Sequence, residues 1–186
     1  KPQKDLPTFL LAAVEILHQQ PDARFLVVGD GPLREELEAQ AEALDLFPSL
    51  IFTGMRKDIP TIMAALDVLV LSSLWEGLPV ILLEAMAAAR PVVSTAVDGV
   101  RSVVLPDESA LLVSTGSPSS LADACVKLAR DPALRQKMGS SGLKRVADFY
   151  SLDAMIERIS KLYGELLRER GLEKYIPAAL MRGVAQ

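Results

Sequence analysis

Short runs that are apolar for most of their length, not at every second position, constrain this chain most. Residues 24–28, 50–53, 68–71, 91–94 and 110–113 read as such strands, rich in Phe, Leu, Val and Ile. A strand with this pattern is buried on both faces and needs helices above and below it. Helical spacing fills the intervals. Residues 6–20 place Phe9, Leu10, Ala13, Val14 and Leu17 on one face, and helices are expected over 32–46, 58–65 and 79–89. Three more helices, 118–130, 132–149 and 152–170, follow the last strand. Strands and helices that alternate at intervals of roughly 20–30 residues imply right-handed crossovers and parallel pairing. The expected fold is α/β, a Rossmann-like doubly wound parallel sheet with helices on both faces.

Composition narrows the function classes. Half of the 186 residues are hydrophobic and 24% are charged, which suits a globular domain with a full core. Aromatic residues make up only 5%, so the core is expected to be mainly Leu, Val, Ala and Ile. A net charge of -4 provides no basic stripe for nucleic acid. The chain has one cysteine, Cys125, inside a helical pattern, and one histidine, His18, late in the first helix. From these neither a disulfide, a metal site nor a catalytic triad can be assembled, and Cys125 reads as a small buried apolar residue. No apolar run reaches transmembrane length, and Asp67 interrupts the longest. A cytoplasmic setting is expected. The chain starts at Lys1 without a Met and close to a helix, and reads as a piece of a longer protein.

In a doubly wound sheet, ligands bind beyond the carboxyl ends of the strands. The loops expected there are Gly29-Asp30-Gly31-Pro32, Gly54-Met55-Arg56-Lys57, residues 72–78 and residues 95–101. In the third, Gly77 permits close backbone approach or a positive φ, and Pro79 presets a helical turn. Amides near Gly77 and Leu78 at a helix N-terminus suit an anion. Glu76 precedes that helix and Glu84 lies within it among Val80, Ile81, Leu82, Leu83, Ala85 and Met86. Two accounts fit Glu84: a buried acid paired with a neighbouring strand or loop, or an acid kept for a ligand. Alone, Glu76 reads as a solvated loop acid, and the Gly29–Gly31 loop as a tight turn.

Together these pieces resemble the C-terminal domain of GT-B glycosyltransferases, in the family-4 group of retaining enzymes. The resemblance rests on Pro2-Gln3-Lys4-Asp5, Val27-Val28-Gly29-Asp30-Gly31-Pro32, Phe52-Thr53-Gly54, and Glu76-Gly77-Leu78-Pro79 running on to Glu84-Ala85-Met86-Ala87. It covers residues 1–170, and the two glutamates with seven residues between them are its most specific part. Residues 171–186 have weak periodicity and are expected to be a tail or a segment that reaches the N-terminal GT-B domain.

The resemblance implies a role for each matched position. Lys4 contacts the donor diphosphate, and Gly29 and Gly31 flank the nucleotide. Met55 and Arg56 line the base pocket, although Arg56 also reads as a surface salt-bridge residue. Glu84 accepts hydrogen bonds from the ribose hydroxyls, Glu76 contacts the donor sugar, and the Gly77 and Leu78 amides hold sugar and phosphates. The donor is a UDP- or GDP-sugar, with no cofactor. No Asp-x-Asp motif appears, so no metal is expected, and Lys4 with the helix N-terminus stabilises the leaving diphosphate. The family's acceptors are lipids or saccharides, and a lipid acceptor would place the full-length enzyme peripherally at the inner membrane. Acceptor groups lie largely in the N-terminal domain, so this chain alone is expected to bind donor and transfer nothing. Where many members carry two glycines and then Pro-Glu, this chain has Asp98-Gly99-Val100-Arg101-Ser102-Val103, and no role is carried onto Ser102. The competing readings are a nucleotide-sugar epimerase, a phosphorylase, and a non-catalytic nucleotide-sugar sensor.

Overall fold

The computed structural model describes residues 1–175. A 3₁₀ turn, Pro2–Lys4, leads into α1 (Leu6–Gln19). Strand and helix then alternate: β1 (Phe25–Val28), α2 (Arg34–Ala43), β2 (Leu50–Gly54), α3 (Ile59–Ala65), β3 (Leu69–Leu71), α4 (Val80–Ala87), β4 (Val92–Thr95), α5 (Asp98–Arg101) and β5 (Ala110–Val113). Helices α6 (Pro118–Arg130), α7 (Pro132–Phe149) and α8 (Leu152–Glu169) follow. Each expected element is present. Two helices start later than their prolines suggested, because Pro32 and Pro79 sit in the approach to α2 and α4, not in their first turns. The short α5 was not anticipated, since its four residues fall below any periodic pattern.

The ladders between the named strands are all parallel, as the alternation requires, but the strands form two sheets. β1 pairs with β2, setting Phe25 opposite Leu50 and Val27 opposite Phe52. β4 lies between β3 and β5, with Val93 opposite both Val70 and Leu111. No ladder joins β1 to β3.

Burial follows this division. Val92 to Thr95 are buried at every position, with α4 and α6 both packed on β4. α1 packs on α6, and Phe9, Leu10, Ala13, Phe25, Leu50, Val93 and Leu121 share one core. The first pair is less well covered than its composition suggested. Leu26 and Val28 are each 37% exposed and Ile51 is 51% exposed. Coverage on both faces therefore holds for β4 and fails for β1 and β2.

The rear of α4 is held by close packing. Ala89 adopts φ 54, and a Cβ on Gly139 of α7 would lie 2.1 Å from its carbonyl oxygen, so only hydrogen fits there. Cys125 is buried, as expected, and burial pushes its thiol pKa up to about 12.

The chain divides into two compact units, Lys1–Lys144 and Arg145–Gln186. In the second, Ser151 caps α8 by accepting a hydrogen bond from the Ala154 amide at 3.2 Å. α8 carries a row of exposed apolar residues, including Met155, Ile159, Leu162 and Leu166. Of the expected tail, Glu173–Tyr175 form a 3₁₀ turn, and residues 176–186 lie outside the described residues. Among the described residues no helix is long and apolar enough to cross a membrane.

Candidate functional site

The site is built on the loop after β3, and local hydrogen bonds explain its shape. Ser72 and Ser73 are buried, so their hydroxyls need partners. Ser72 Oγ donates to the Lys4 carbonyl at 2.7 Å, and Ser73 Oγ donates to Glu76 Oε1 at 2.6 Å. Thr95, at the carboxyl end of β4, donates through Oγ1 to the Ser73 carbonyl at 2.5 Å. The Leu74 amide donates to the Gln3 carbonyl at 2.9 Å, and Gln3 Nε2 donates to the Trp75 carbonyl at 2.8 Å. The loop is thereby tied to the amino-terminal turn on one side and to β4 on the other.

This lacing brings Lys4 to Glu76. Asp5 takes up φ 45, a left-handed conformation that Asp tolerates better than most residues. It closes the 3₁₀ turn and lets Lys4 Nζ reach Glu76 Oε1 at 2.5 Å. The Glu76 side chain is only 8% exposed, whereas that of Lys4 is 41% exposed. Glu76 is therefore not the solvated loop acid that its position alone suggested. Its carboxylate is withdrawn from water and held by one ammonium and one hydroxyl.

Glu84 behaves in the opposite way. It lies on the open side of α4 and is exposed, while Leu82, Ala85 and Met86 fill the buried side. Its side chain has no hydrogen-bond or ion-pair partner among the described residues. The account of Glu84 as a buried, paired acid is therefore set aside. Most of the helix is apolar, but its carboxylate incurs no burial cost.

Between the two acids lies an open stretch of backbone. A Cβ on Gly77 would meet nothing within 4 Å, and Gly77 lacks the positive φ that was one reason to expect glycine there. Leu78 is 55% exposed. Pro79 is the N-cap of α4 and offers no side-chain cap. The first amides of that helix are thus left to solvent or a ligand.

The remaining candidates divide by position. Lys4, Gly29, Met55 and Arg56 line one cavity with Ser72 and Ser73, whereas Gly31, Gly77, Leu78 and Glu84 lie outside its lining. Gly29 and Gly54 take φ 120 and φ 67, so both loops need glycine for conformation. A Cβ on Gly29 or Gly31 would have no protein atom nearer than 3.9 Å. Met55 is 78% exposed. Arg56 grips Asp58 at 2.5 Å, which raises its own pKa and holds the Asp58 carboxyl below the usual range. The surface salt bridge foreseen for Arg56 is present.

Sequence reasoning missed one contributor. A Cβ on Gly99, in α5, would lie 2.1 Å from the Gly77 carbonyl oxygen and 2.3 Å from that of Glu76. The missing side chain is what lets the loop after β4 press against the acid-bearing loop. The signal available in the sequence is a glycine just beyond the carboxyl end of a strand.

Parallel strands alternate with helices, and Glu76 and Gly77 lie in a loop at the carboxyl edge, an architecture that matches the C-terminal half of a GT-B fold. Comparison with known proteins makes this specific. Residues 1–131 match the family model described as glycosyl transferases group 1, so the chain belongs to that family. It is 30% identical over 166 residues to the alpha-D-kanosaminyltransferase of Streptomyces kanamyceticus, covering 88% of this chain and 43% of that protein. It is 30% identical over 169 residues to the UDP-Gal:alpha-D-GlcNAc-diphosphoundecaprenol alpha-1,3-galactosyltransferase of Escherichia coli, covering 89% of this chain and 43% of that protein. The crystallised C-terminal domain of a group 1 glycosyl transferase from Francisella tularensis is 29% identical, with a TM-score of 0.75 over 82% of each chain. An Anabaena protein crystallised with UDP-glucose has the same fold, at 24% identity and a TM-score of 0.78 over 89% of this chain and 46% of that one. The chain thus spans less than half the length of the curated relatives it matches.

Proposed function

We propose that this chain is the donor-binding domain of a retaining glycosyltransferase that takes its sugar from a nucleotide-diphosphate sugar, UDP-sugars first. The observation that carries this reading is the half-open site around Glu76. A carboxylate withdrawn from water is held by Lys4 and Ser73 beside exposed glycine backbone at the start of a helix.

The roles follow from the chemistry of each group. A lysine ammonium has three donors, and the contact with Glu76 leaves two for a diphosphate. Charge on the leaving diphosphate is then met by Lys4 and by the Gly77, Leu78 and Val80 amides. Glu76 is acceptor-only and fixed in place, which suits contact with donor-sugar hydroxyls. Glu84 is exposed and unpaired, so its two oxygens are available to the two ribose hydroxyls. Met55 offers an apolar surface to the base, and Arg56 stays with Asp58 and contributes through its backbone. Gly29 and Gly31 keep side chains away from the nucleotide.

The curated relatives bear names with different acceptors, among them a diphosphoundecaprenol-linked sugar and 2-deoxystreptamine. That diversity at similar identity supports an acceptor site, for lipid or saccharide, in the other half of the full-length enzyme. The isolated chain then binds donor without transferring it.

Isothermal calorimetry on the full-length protein with UDP, GDP and their sugars tests the reading. UDP or a UDP-sugar is expected to bind; no heat with any of them sinks it. Glu84→Ala is expected to raise the donor KM by at least about tenfold, since even one hydrogen bond to a charged group contributes about 1.5–3 kcal/mol. An unchanged KM removes the ribose role.

A further inference from the structure

Two adjacent serines hold the two members of the Lys4–Glu76 pair in different ways. The Ser72 hydroxyl goes to the Lys4 carbonyl, so it fixes backbone. The Ser73 hydroxyl goes to the Glu76 carboxylate, so it fixes a side chain. An ionised carboxylate only accepts, so the proton of this second bond comes from Ser73. Ser73 is itself anchored to β4, because the buried Thr95 donates to its carbonyl at 2.5 Å. Every position of β4 is buried, which makes the strand a close-packed support.

The same contacts make the two oxygens of Glu76 unequal. Lys4 Nζ and Ser73 Oγ both donate to Oε1, at 2.5 and 2.6 Å, and together they fill its two lone pairs. Oε2 receives no hydrogen bond from a described residue. It is not sealed in either. Among the described residues, Arg90 Nε is the one enclosed side-chain polar atom that lacks a partner. Glu76 therefore offers a single oxygen outward. Rotation about the last bond of the side chain, a soft torsion, would exchange the two oxygens. Lys4 alone does not prevent this, because a flexible, partly exposed lysine can follow either one. The short, buried Ser73 cannot follow.

We propose that Ser73 is a positioning residue for sugar transfer: it locks the plane of the Glu76 carboxylate so that Oε2 alone meets the donor sugar. The role rests on the donor reading above and deepens it. Because Oε2 only accepts, the sugar position that faces it carries a hydroxyl or another hydrogen-bond donor. A sugar without that group leaves the oxygen unpaired and is rejected. The nucleotide contacts do not depend on Ser73. Lys4 keeps its own anchor on Ser72, and Glu84 has no tie to either serine. Ser73 thus acts on the sugar half of the donor and leaves the nucleotide half alone.

Calorimetry on the full-length protein with UDP, GDP, UDP-glucose, UDP-galactose and GDP-mannose tests this. The readout is the Kd of the tightest-bound sugar nucleotide divided by that of its parent nucleotide. Ser73→Ala is expected to raise this ratio about tenfold, with the parent nucleotide within about twofold of its original affinity. In a Glu76→Ala background, Ser73→Ala is expected to change the ratio no further, because its effect passes through that carboxylate. An unchanged ratio, equal weakening of sugar nucleotide and parent, or losses that add in the double variant would overturn the role. If Ser73→Ala does not fold, Ser73→Cys keeps the volume with a weaker donor and is expected to shift the ratio in the same direction; no shift overturns the role. Absence of binding by the unmodified protein to all five compounds overturns the donor reading as well, whereas binding with an unchanged ratio overturns the role of Ser73 alone.

Discussion

The two halves of the sheet differ in how completely they are built. Around β4 every position is buried, helices cover both faces, and Thr95 and Gly99 brace the neighbouring acid-bearing loop. Around β1 and β2 one face and one edge are open, and the loops at their carboxyl ends carry exposed Met55 and the glycines of the Gly29–Gly31 turn. The more finished half holds the Glu76 carboxylate in one place, through Lys4 and Ser73. The less finished half presents open surface, which the proposed donor reading gives to the base. Precision of placement and completeness of packing go together.

This contrast can be broken or sharpened by substitution. The largest effect is expected from Leu111→Ala in β5 set against Ile51→Ala in β2. A buried Leu→Ala costs about 2–5 kcal/mol, and the half-exposed Ile51 should cost less than half as much. Guanidinium unfolding measures both, and equal losses would erase the distinction. Next comes Gly99→Ala. The added methyl must displace the Glu76–Gly77 backbone, an overpacking cost of about 1–3 kcal/mol together with weaker donor binding by calorimetry. Stability loss with unchanged affinity would make the contact purely structural.

A smaller, pH-dependent effect is expected from Cys125. Its thiol stays protonated in the folded protein to about pH 12, while an exposed thiol ionises near 9. Folding stability is therefore unaffected below the unfolded value and falls as pH rises from there towards the folded value. Native protein should resist alkylation at pH 8 and react once unfolded; rapid native reaction would refute the burial. The smallest effect belongs to Arg56→Ala. It removes an exposed pair with Asp58 and should leave Tm within error.

Much of this was legible in the residues. Apolar runs 68–71 and 91–94 announced buried strands, and their alternation with helical segments announced parallel pairing. Burial of the two acids was not legible. Glu84 looked buried because its neighbours are apolar, but an eight-residue helix has an open side, and Glu84 is on it. Glu76 looked exposed because it sits in a loop, yet Lys4 and Ser73 enclose it, and Lys4 is 72 positions away in the chain. Composition reports a residue's neighbours in sequence, whereas burial depends on contacts that close over long separations. The split between β1 and β3 was also unreadable, since each strand taken alone has an ordinary pattern.

The loop that carries Glu76 also holds Trp75, the chain's single tryptophan, which is 57% exposed and tied through its carbonyl to Gln3. All indole emission from this domain therefore originates one residue from the acid. A change in its intensity or wavelength on adding nucleotide, excited beyond the absorption of the three tyrosines, would report on that loop with no competing indole in the domain. The buried Cys125 leaves the surface free for a thiol-linked acceptor dye at an engineered position such as Met55. The domain thus has a built-in optical gauge of distance across its own cleft.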